Sequence, residues 1–571
     1  MNRNARKHAG RQQLRVCGLK SGATAGLPSS ARDQRHTAGP ASSGSRWRRR
    51  SASRCTLAAA LGTLIVLYVC TPARAQPSAA GLDSQGSDPS PPATALVPLL
   101  PAPPEANDYS AQSLWEYSRA IVDHHGGSYY DMPLDMKAEY FEWVMWRYHK
   151  LPFHLVATGV DLPDESNHPP MWLGGRDDAT WNGSLLAALS FKYACTKDPG
   201  TLERIAELIQ GMHFLYEVTE LPGHAARCVV YEHSPERKEM TTYQAPDGTR
   251  YRYIYGPAKG TYNQMAAGYA ALMMHAWQDL PSHIQQLAVS DITDFVLHVI
   301  DNDYKLTDRH GNRTPYGDMT PVVATVGVPF NAQVAYEIVA LGWYFADGDP
   351  QGRARIEDQF RRLRDKYHVY YESPWKGIIQ PQRVAASPFV KGMNDRNHVT
   401  NAAFIGLAMD IHACREASVP LDRNFMYRLG QTMHYGLGYL DGQHNALCNF
   451  MWAAILSDAE AFDCIVERKP NSTRALMERN LLDGVEHLRR FPLDRFGYPG
   501  VDGTAPQPVW INNFRPTAFR WKDDAFLTFT VTGPRRNRHV AAIGYLYAYW
   551  LMRYYQLDQH PLVTAAHAEV L

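Results

Sequence analysis

Several large protein classes leave a mark that this chain lacks. It has no G-x-x-x-x-G-K-[ST], no G-x-G-x-x-G after a strand pattern, no G-x-S-x-G and no H-E-x-x-H. Nucleotide-cradling, dinucleotide-binding, serine-hydrolase and zinc-peptidase chemistry therefore have no footing in the sequence. Excess positive charge is missing too. The net of +1 hides a split, because residues 1–75 hold 14 Lys and Arg against one acid, Asp33. The rest carries 44 basic against 56 acidic residues, a net of −12, which speaks against nucleic acid as a partner. Cysteine is scarce. Beyond the leader only Cys195, Cys228, Cys414, Cys448 and Cys464 remain, an odd number with no C-x-x-C and no Cys/His metal spacing. They read as buried apolar side chains, with a Cys195–Cys228 or Cys448–Cys464 bridge open to an exported protein. His124-His125 is a weak metal signal, and no cofactor is expected.

No apolar run reaches the about 20 residues of a membrane helix. The longest, Thr56–Cys70, follows the basic Arg48-Arg-Arg-Ser-Ala-Ser-Arg54 and precedes Ala73-Arg-Ala75. That is a secretory signal layout, although its basic region is long enough to suit a later translation start. Residues 1–75 are accordingly expected to be a signal peptide, or an N-terminal membrane anchor if uncleaved. The mature chain would start near Gln76, periplasmic, secreted or membrane-anchored. Residues 76–106, rich in Pro, Ser and Ala, form a linker without means of burying a core.

From Asn107 the texture is helical to the end. Periodic stretches are predicted at Tyr109–Asp123, Leu134–His149, 179–194, Leu202–Val218, Tyr262–Gln278 and Ser282–Ile300. Further ones fall at Asn331–Phe345, Arg353–Tyr367, Asn401–Glu416, Arg423–Leu437, Leu447–Ser457, Thr473–Arg490 and Val540–Tyr555. Ser282-His-Ile-Gln285 has the pattern of a capping box. The helices come as hairpins, with short Asp/Gly/Pro turns alternating with long polar loops. Strand signals are few, Cys228–Glu232 and Arg250–Tyr255 suggesting a small ribbon. Such repetition predicts an all-α (α/α)6 toroid over 107–571, its long loops gathered at one functional end. An open solenoid is the alternative, but no fixed 34- or 40-residue repeat is present.

One stretch stands out, Trp172-Leu-Gly-Gly-Arg-Asp-Asp-Ala-Thr-Trp-Asn-Gly-Ser. A Gly-rich polar loop leads into a helix marked by Leu185, Leu186, Leu189 and Tyr193. Asp177 and Asp178 fall at the junction, and Asp178 shares a helix face with Asn182, as Asp177 does with Trp181. Carboxylates, an amide and an indole at a helix mouth suit a sugar cleft. The plain alternative is a helix cap.

Several segments together resemble the six-hairpin glycosidase superfamily, most closely its exported bacterial members of unassigned reaction. They are Asp178-Ala-Thr-Trp-Asn-Gly-Ser, Leu221-Pro-Gly-His-Ala-Ala-Arg227, Asp308–Gly317, Asn397-His398, Asn445–Asn449, Trp521-Lys-Asp-Asp524 and Gly544–Arg553. The resemblance implies the toroid and a carbohydrate substrate. One departure is that Gly260-Thr-Tyr-Asn-Gln264 replaces an acidic cluster expected to open the fifth helix.

The candidate catalytic carboxylates are Asp178, as general acid, with Asp177 or Asp318 as its partner, since glycoside hydrolysis needs two. Asp523 and Asp524 are weaker, being adjacent in a loop. Candidate substrate groups are Trp181 and Trp521 for stacking, with Trp172 and Trp510 behind them, and the polar Asn182, Arg227, Tyr262, Arg313, Asn397, His398, Asn445 and Asn449. The expectation is an exported glycoside hydrolase. A uronate lyase, with Asn, Arg or His neutralising the carboxylate and Tyr262 or His398 taking the proton, is one alternative. A non-catalytic glycan-binding or envelope protein is the other.

Overall fold

Apolar residues at three- and four-residue spacing fold into 15 α-helices among the described residues of this computed structural model. Those residues are 101–568, apart from 165–167, 174–176, 235–239, 257, 321–328, 347–349, 373–394, 467–469, 497–499, 506–508, 511–520, 522–526 and 531–536. In chain order the helices are α1 Ala111–His124, α2 Leu134–Val144, α3 Asp178–Thr196, α4 Pro199–Glu217, α5 Lys259–His275, α6 Ser282–Asp301, α7 Pro329–Phe345 and α8 Pro350–Glu372. There follow α9 Asp395–Glu416, α10 Arg423–Leu440, α11 Ala446–Ala453, α12 Ala459–Val466, α13 Pro470–Arg489, α14 Ile543–Tyr554 and α15 Pro561–Ala568. The short α12 and α15 went unforeseen. α2 runs on into a five-residue π-helix, Met145–His149.

The helix contacts close a ring. α3 packs on α5, α5 on α7, α7 on α9, α9 on α11, α11 on α14, and α14 back on α3. Behind this ring stand α4 against α3, α6 against α5 and α7, α8 against α7, α10 against α9, α13 against α11 and α2 against α14. Six inner and six outer helices make an all-α (α/α)6 toroid. Burial explains which helix goes where. α3 is buried at every residue from Asp178 to Phe191 and α5 from Thr261 to Met273. α4 instead buries one stripe, Ile205, Leu208, Ile209, Met212 and Leu215, the mark of an outer helix.

The inner helices run parallel, since contacts join their early turns: Thr180 meets Thr261, Ser184 meets Gln264 and Asn263 meets Glu337. The turn from α3 to α4 sits at the opposite end and is short. Lys197 takes a left-handed conformation (φ 51°), Asp198 caps Gly200 and Thr201, and Pro199 begins α4, where its missing N–H costs nothing. The capping box at Ser282 does not form. Ser282 is already helical, and Gln285 donates to the Trp277 carbonyl at 2.7 Å instead. Among the described residues no helix is long and apolar enough to cross a membrane, and no disulfide joins the five cysteines.

Small sheets decorate the loops. β1 Gly159–Asp161 lies between β2 Met171–Leu173 and a late strand, Arg538–Val540, antiparallel to both. The foreseen ribbon, β3 Cys228–Tyr231 with β5 Arg250–Ile254, gains a third strand, β4 Met240–Gln244. β6 Lys305–Thr307 pairs with β7 Arg313–Asp318, and β8 Gly500–Thr504 with β9 Leu527–Thr530. The late strand is β10 in this order.

Two contacts fix the geometry around α3. A Cβ on Gly183 would lie 2.4 Å from the Gln264 carbonyl oxygen, and one on Gly268 2.4 Å from that of Gly183. Only glycine lets α3 and α5 approach so closely. The second contact is a histidine pair. The His149 Nδ1–H donates to the Ala157 carbonyl at 2.8 Å, which leaves Nε2 to accept from His539 Nδ1–H at 2.9 Å. Burial drives His149 down to about 4, and His539 falls well below its ordinary range for the same reason.

Gly183→Ala is expected to lower unfolding stability by about 1–3 kcal/mol through overpacking, read by chemical denaturation; an unchanged midpoint would refute the close approach. For His149 the folded pKa lies below the unfolded value of about 6.5. Its contribution is therefore complete above pH 6.5 and is lost as pH falls toward 4, on the order of 3 kcal/mol at most. His149→Asn keeps a donor for Ala157 but cannot ionise. Between pH 7 and pH 4.5 it should lose less stability than the parent, and equal losses would refute the neutral pair.

Candidate functional site

Where α3 begins, three loops meet it. Asp177 occupies the N-cap position without a capping hydrogen bond. Its carboxylate forms an ion pair with the Arg227 guanidinium, the side chains being 32 and 20% exposed. Arg227 also accepts the Ala179 N–H on its carbonyl at 2.9 Å, while its own N–H donates to Ile254 at 2.8 Å. The residue thus ties the β3–β5 ribbon to the start of α3.

Asp178 is buried, and its Oδ1 accepts from both the backbone N–H (3.2 Å) and the hydroxyl of Thr158. Both contacts tie that carboxyl oxygen to the 156–158 segment. Asn182, one turn on, gives its Oδ1 to the Val156 N–H and its Nδ2 to the carbonyls of Val156 and Asp178. It is a clamp on the 156–158 segment, not a ligand for substrate.

Tyr262 is buried as well. Its hydroxyl donates to the Gly223 carbonyl at 2.6 Å and accepts from the Ala225 N–H at 3.0 Å, and burial pushes its phenol far above the ordinary range. It anchors the 221–227 loop and is not placed to remove a proton from a substrate. Arg313 and Asp318 pair with each other at 2.6 Å on the exposed β7. Burial alone would raise the Asp318 carboxyl, but Thr320 and Arg313 outweigh it and hold it below the ordinary range. No described hydrogen bond or ion pair joins this pair to Asp177 or Asp178. Asp523 and Asp524 lie outside the described residues.

A second group of candidates does come together, around Trp521. The side-chain amides of Asn397, on α9, and Asn445, at the N-cap of α11, each donate to the Trp521 carbonyl at 2.7 Å. Its fully buried indole meets Trp181 edge-on at 6.2 Å and His398 at 5.5 Å. Both indoles pack inside the protein and against each other, which leaves neither ring a face open for the expected stacking role. Asn449 is buried one turn into α11. Of the remaining tryptophans, Trp172 packs against the core and Trp510 lies between His444 and Arg490.

Glu337 is the carboxyl that sequence reading missed. It is fully buried on α7, accepts from Asn263 Nδ2, and is driven well above the ordinary range by burial, which that bond only partly offsets. The signal was a lone acid inside the apolar run Val334-Ala-Tyr-Glu-Ile-Val-Ala-Leu341. Asn263 belongs to the segment where the acidic cluster was expected. In place of that cluster the ring holds a buried acid one helix further round.

An open cavity of about 430 Å³ lies elsewhere, on the outer layer, lined by Glu139, Glu142, Trp143, Trp146, Arg147 and Arg204. Guanidinium groups stand over two of its rings, Arg147 at 5.3 Å from the Trp143 centroid and Arg204 at 5.1 Å from that of Trp146. Among the described residues no group of three or more His, Cys, Asp or Glu could hold a metal ion, His124-His125 included.

No family model matches the chain, and no curated protein does. Among solved structures the GH76A α-1,6-mannanase from Salegentibacter sp. HEL1_6 is similar at 11% identity and a TM-score of 0.34, over 74% of this chain and 99% of that one. A likeness of that degree carries no argument, and the closed helix ring itself establishes the architecture.

Proposed function

We propose that this chain is an exported carbohydrate-active enzyme, a glycoside hydrolase working at the end of the toroid where the six inner helices begin. The observation that supports it most is the pair of adjacent carboxyls opening α3. Asp177 is partly open and held by Arg227, and Asp178 stands behind it on two donors from Thr158. Glycoside hydrolysis divides its work between two carboxyl groups. The Thr158 donors suit Asp178 to the ionised role of base or nucleophile rather than acid. Asp177 and Arg227 offer the charged hydrogen-bonding partners that sugar hydroxyls take. The lyase reading is weaker, because both of its candidate bases, Tyr262 and His398, are buried and Arg227 already has an anion. Export rests on the leader, and fits a mature N-terminus near Gln76.

A panel of oligosaccharides and polysaccharides, assayed for reducing ends and for absorbance at 235 nm, tests the reading. Hydrolysis gives reducing ends alone. Asp178→Asn should lower turnover roughly 10²–10⁴-fold with unchanged circular dichroism, since the Asn oxygen can still accept from Thr158. Near-normal turnover in that variant would remove Asp178 from the chemistry. Absorbance at 235 nm would mean a lyase, and binding without turnover a glycan-binding protein.

A further inference from the structure

Beneath the Trp521 carbonyl the ring carries a second tier of polar side chains. Asn397 and Asn445 reach that carbonyl at 2.7 Å each. Four residues on from them stand Asn401 and Asn449, on the same faces of α9 and α11 and one turn further in. Tyr547, on α14, donates to Asn401 Oδ1 at 3.3 Å, and its phenol is raised by burial and then by the nearby Glu337 carboxyl of α7. Gln333 precedes Glu337 by one turn on the same face. It lies against α9, its Nε2 3.9 Å from where a Cβ on Gly406 would be. Gln333, Glu337, Asn401, Asn445 and Asn449 are all buried.

Each of these five holds a buried polar atom with no hydrogen-bond partner among the described residues. The atoms are both amide ends of Gln333, Oε1 of Glu337, Nδ2 of Asn401 and of Asn449, and Oδ1 of Asn445. Buried polar groups seldom stay unpaired, because each forfeits its hydration without recompense. The set is mixed. Amide N–H groups of Gln333, Asn401 and Asn449 offer hydrogens, and oxygens of Gln333, Glu337 and Asn445 accept them. No Lys or Arg stands among the five to hold an anion. Burial pushes the Glu337 carboxyl well above its ordinary range, which works against the charge a cation would seek. An apolar guest would leave every one of these atoms unpaired. A hydroxyl group, which gives and accepts hydrogen bonds without charge, fits them all.

We propose that this tier is a binding site, inside the ring and beneath Trp521, for neutral hydroxyl-bearing molecules. Two sources share that chemistry, ordered water and the hydroxyls of a sugar unit. The sugar source rests on the proposed function, and the water source does not.

Crystals grown without polyols, then soaked in neutral monosaccharides with glucuronate as the charged control, test the site without turnover. The unsoaked crystal should show ordered density bonded to Gln333, Asn401 and Asn449. Its replacement by a sugar ring on soaking identifies the sugar source, and its persistence identifies water. A tier without density, whose polar atoms pair with one another, would overturn the proposal. So would glucuronate bound there in preference to the neutral sugars. Chemical denaturation of Gln333→Met needs no crystal. Methionine is close in size to glutamine and almost without hydrogen-bonding capacity. Loss of a bound hydroxyl should lower the midpoint. A raised midpoint would mean that the amide had no partner in the folded protein, and would overturn the proposal. An occupied tier in a protein that turns over no glycan would refute the hydrolase reading alone.

Discussion

A hydrogen-bonding group walled inside the helix ring has to find its partner there, because leaving it unpaired costs on the order of 1–3 kcal/mol. That constraint accounts for much of the mouth's conformation. Asn182 spends its amide on the Val156 backbone, Tyr262 its hydroxyl on Gly223 and Ala225, and Asn397 and Asn445 their amides on Trp521. In each case an inner-helix side chain binds the main chain of a loop. The loops are thus hung from the helices, and their shapes follow from where the polar side chains point. Buried polar networks of this kind specify one arrangement only when their members are satisfied together.

The same ring sorts its carboxyl groups by depth. Helix N-termini carry a partial positive charge that falls off within the first turn. Asp177 and Asp178 stand at such a terminus, beside Arg227 and the Thr158 donors. Glu337 lies two turns into α7, beyond the reach of that charge, with a single amide donor. Burial therefore dominates and pushes its carboxyl well above the ordinary range. The ring thus offers its carboxyl groups two settings, one at a helix terminus and one deep in the wall.

The hairpins were legible because an inner helix buries nearly every residue and an outer one buries a stripe, and both repeat at 3.6. The ring order followed from short turns at one end and long loops at the other. The site was less legible. Asn182, Asn397 and Asn445 read as substrate groups by residue type, yet each binds backbone, since sequence does not say which way an amide on an inner helix faces. Trp181 and Trp521 misled in the same manner: an indole fits a sugar or a core equally well, and here two pack on each other. Glu337 went unnoticed because its apolar neighbours read as plain core. At Ser282 the local pattern was right, but the helix begins one residue early and Gln285 finds Trp277 instead.

The closing contact of the ring joins the first inner helix to the last. Phe191 on α3 stacks on Tyr547 of α14 at 6.3 Å, across more than 350 residues of chain. A polypeptide leaving the ribosome can build its hairpins one by one, but it cannot seal this wall until α14 emerges. Until then the aromatic flank of α3 stays uncovered, a surface that invites aggregation. Loop-closure entropy over such a length slows the last step further. The architecture thus makes the meeting of α3 with α14 a late event, and the ring completes its wall only when chain ends far apart in sequence have come together.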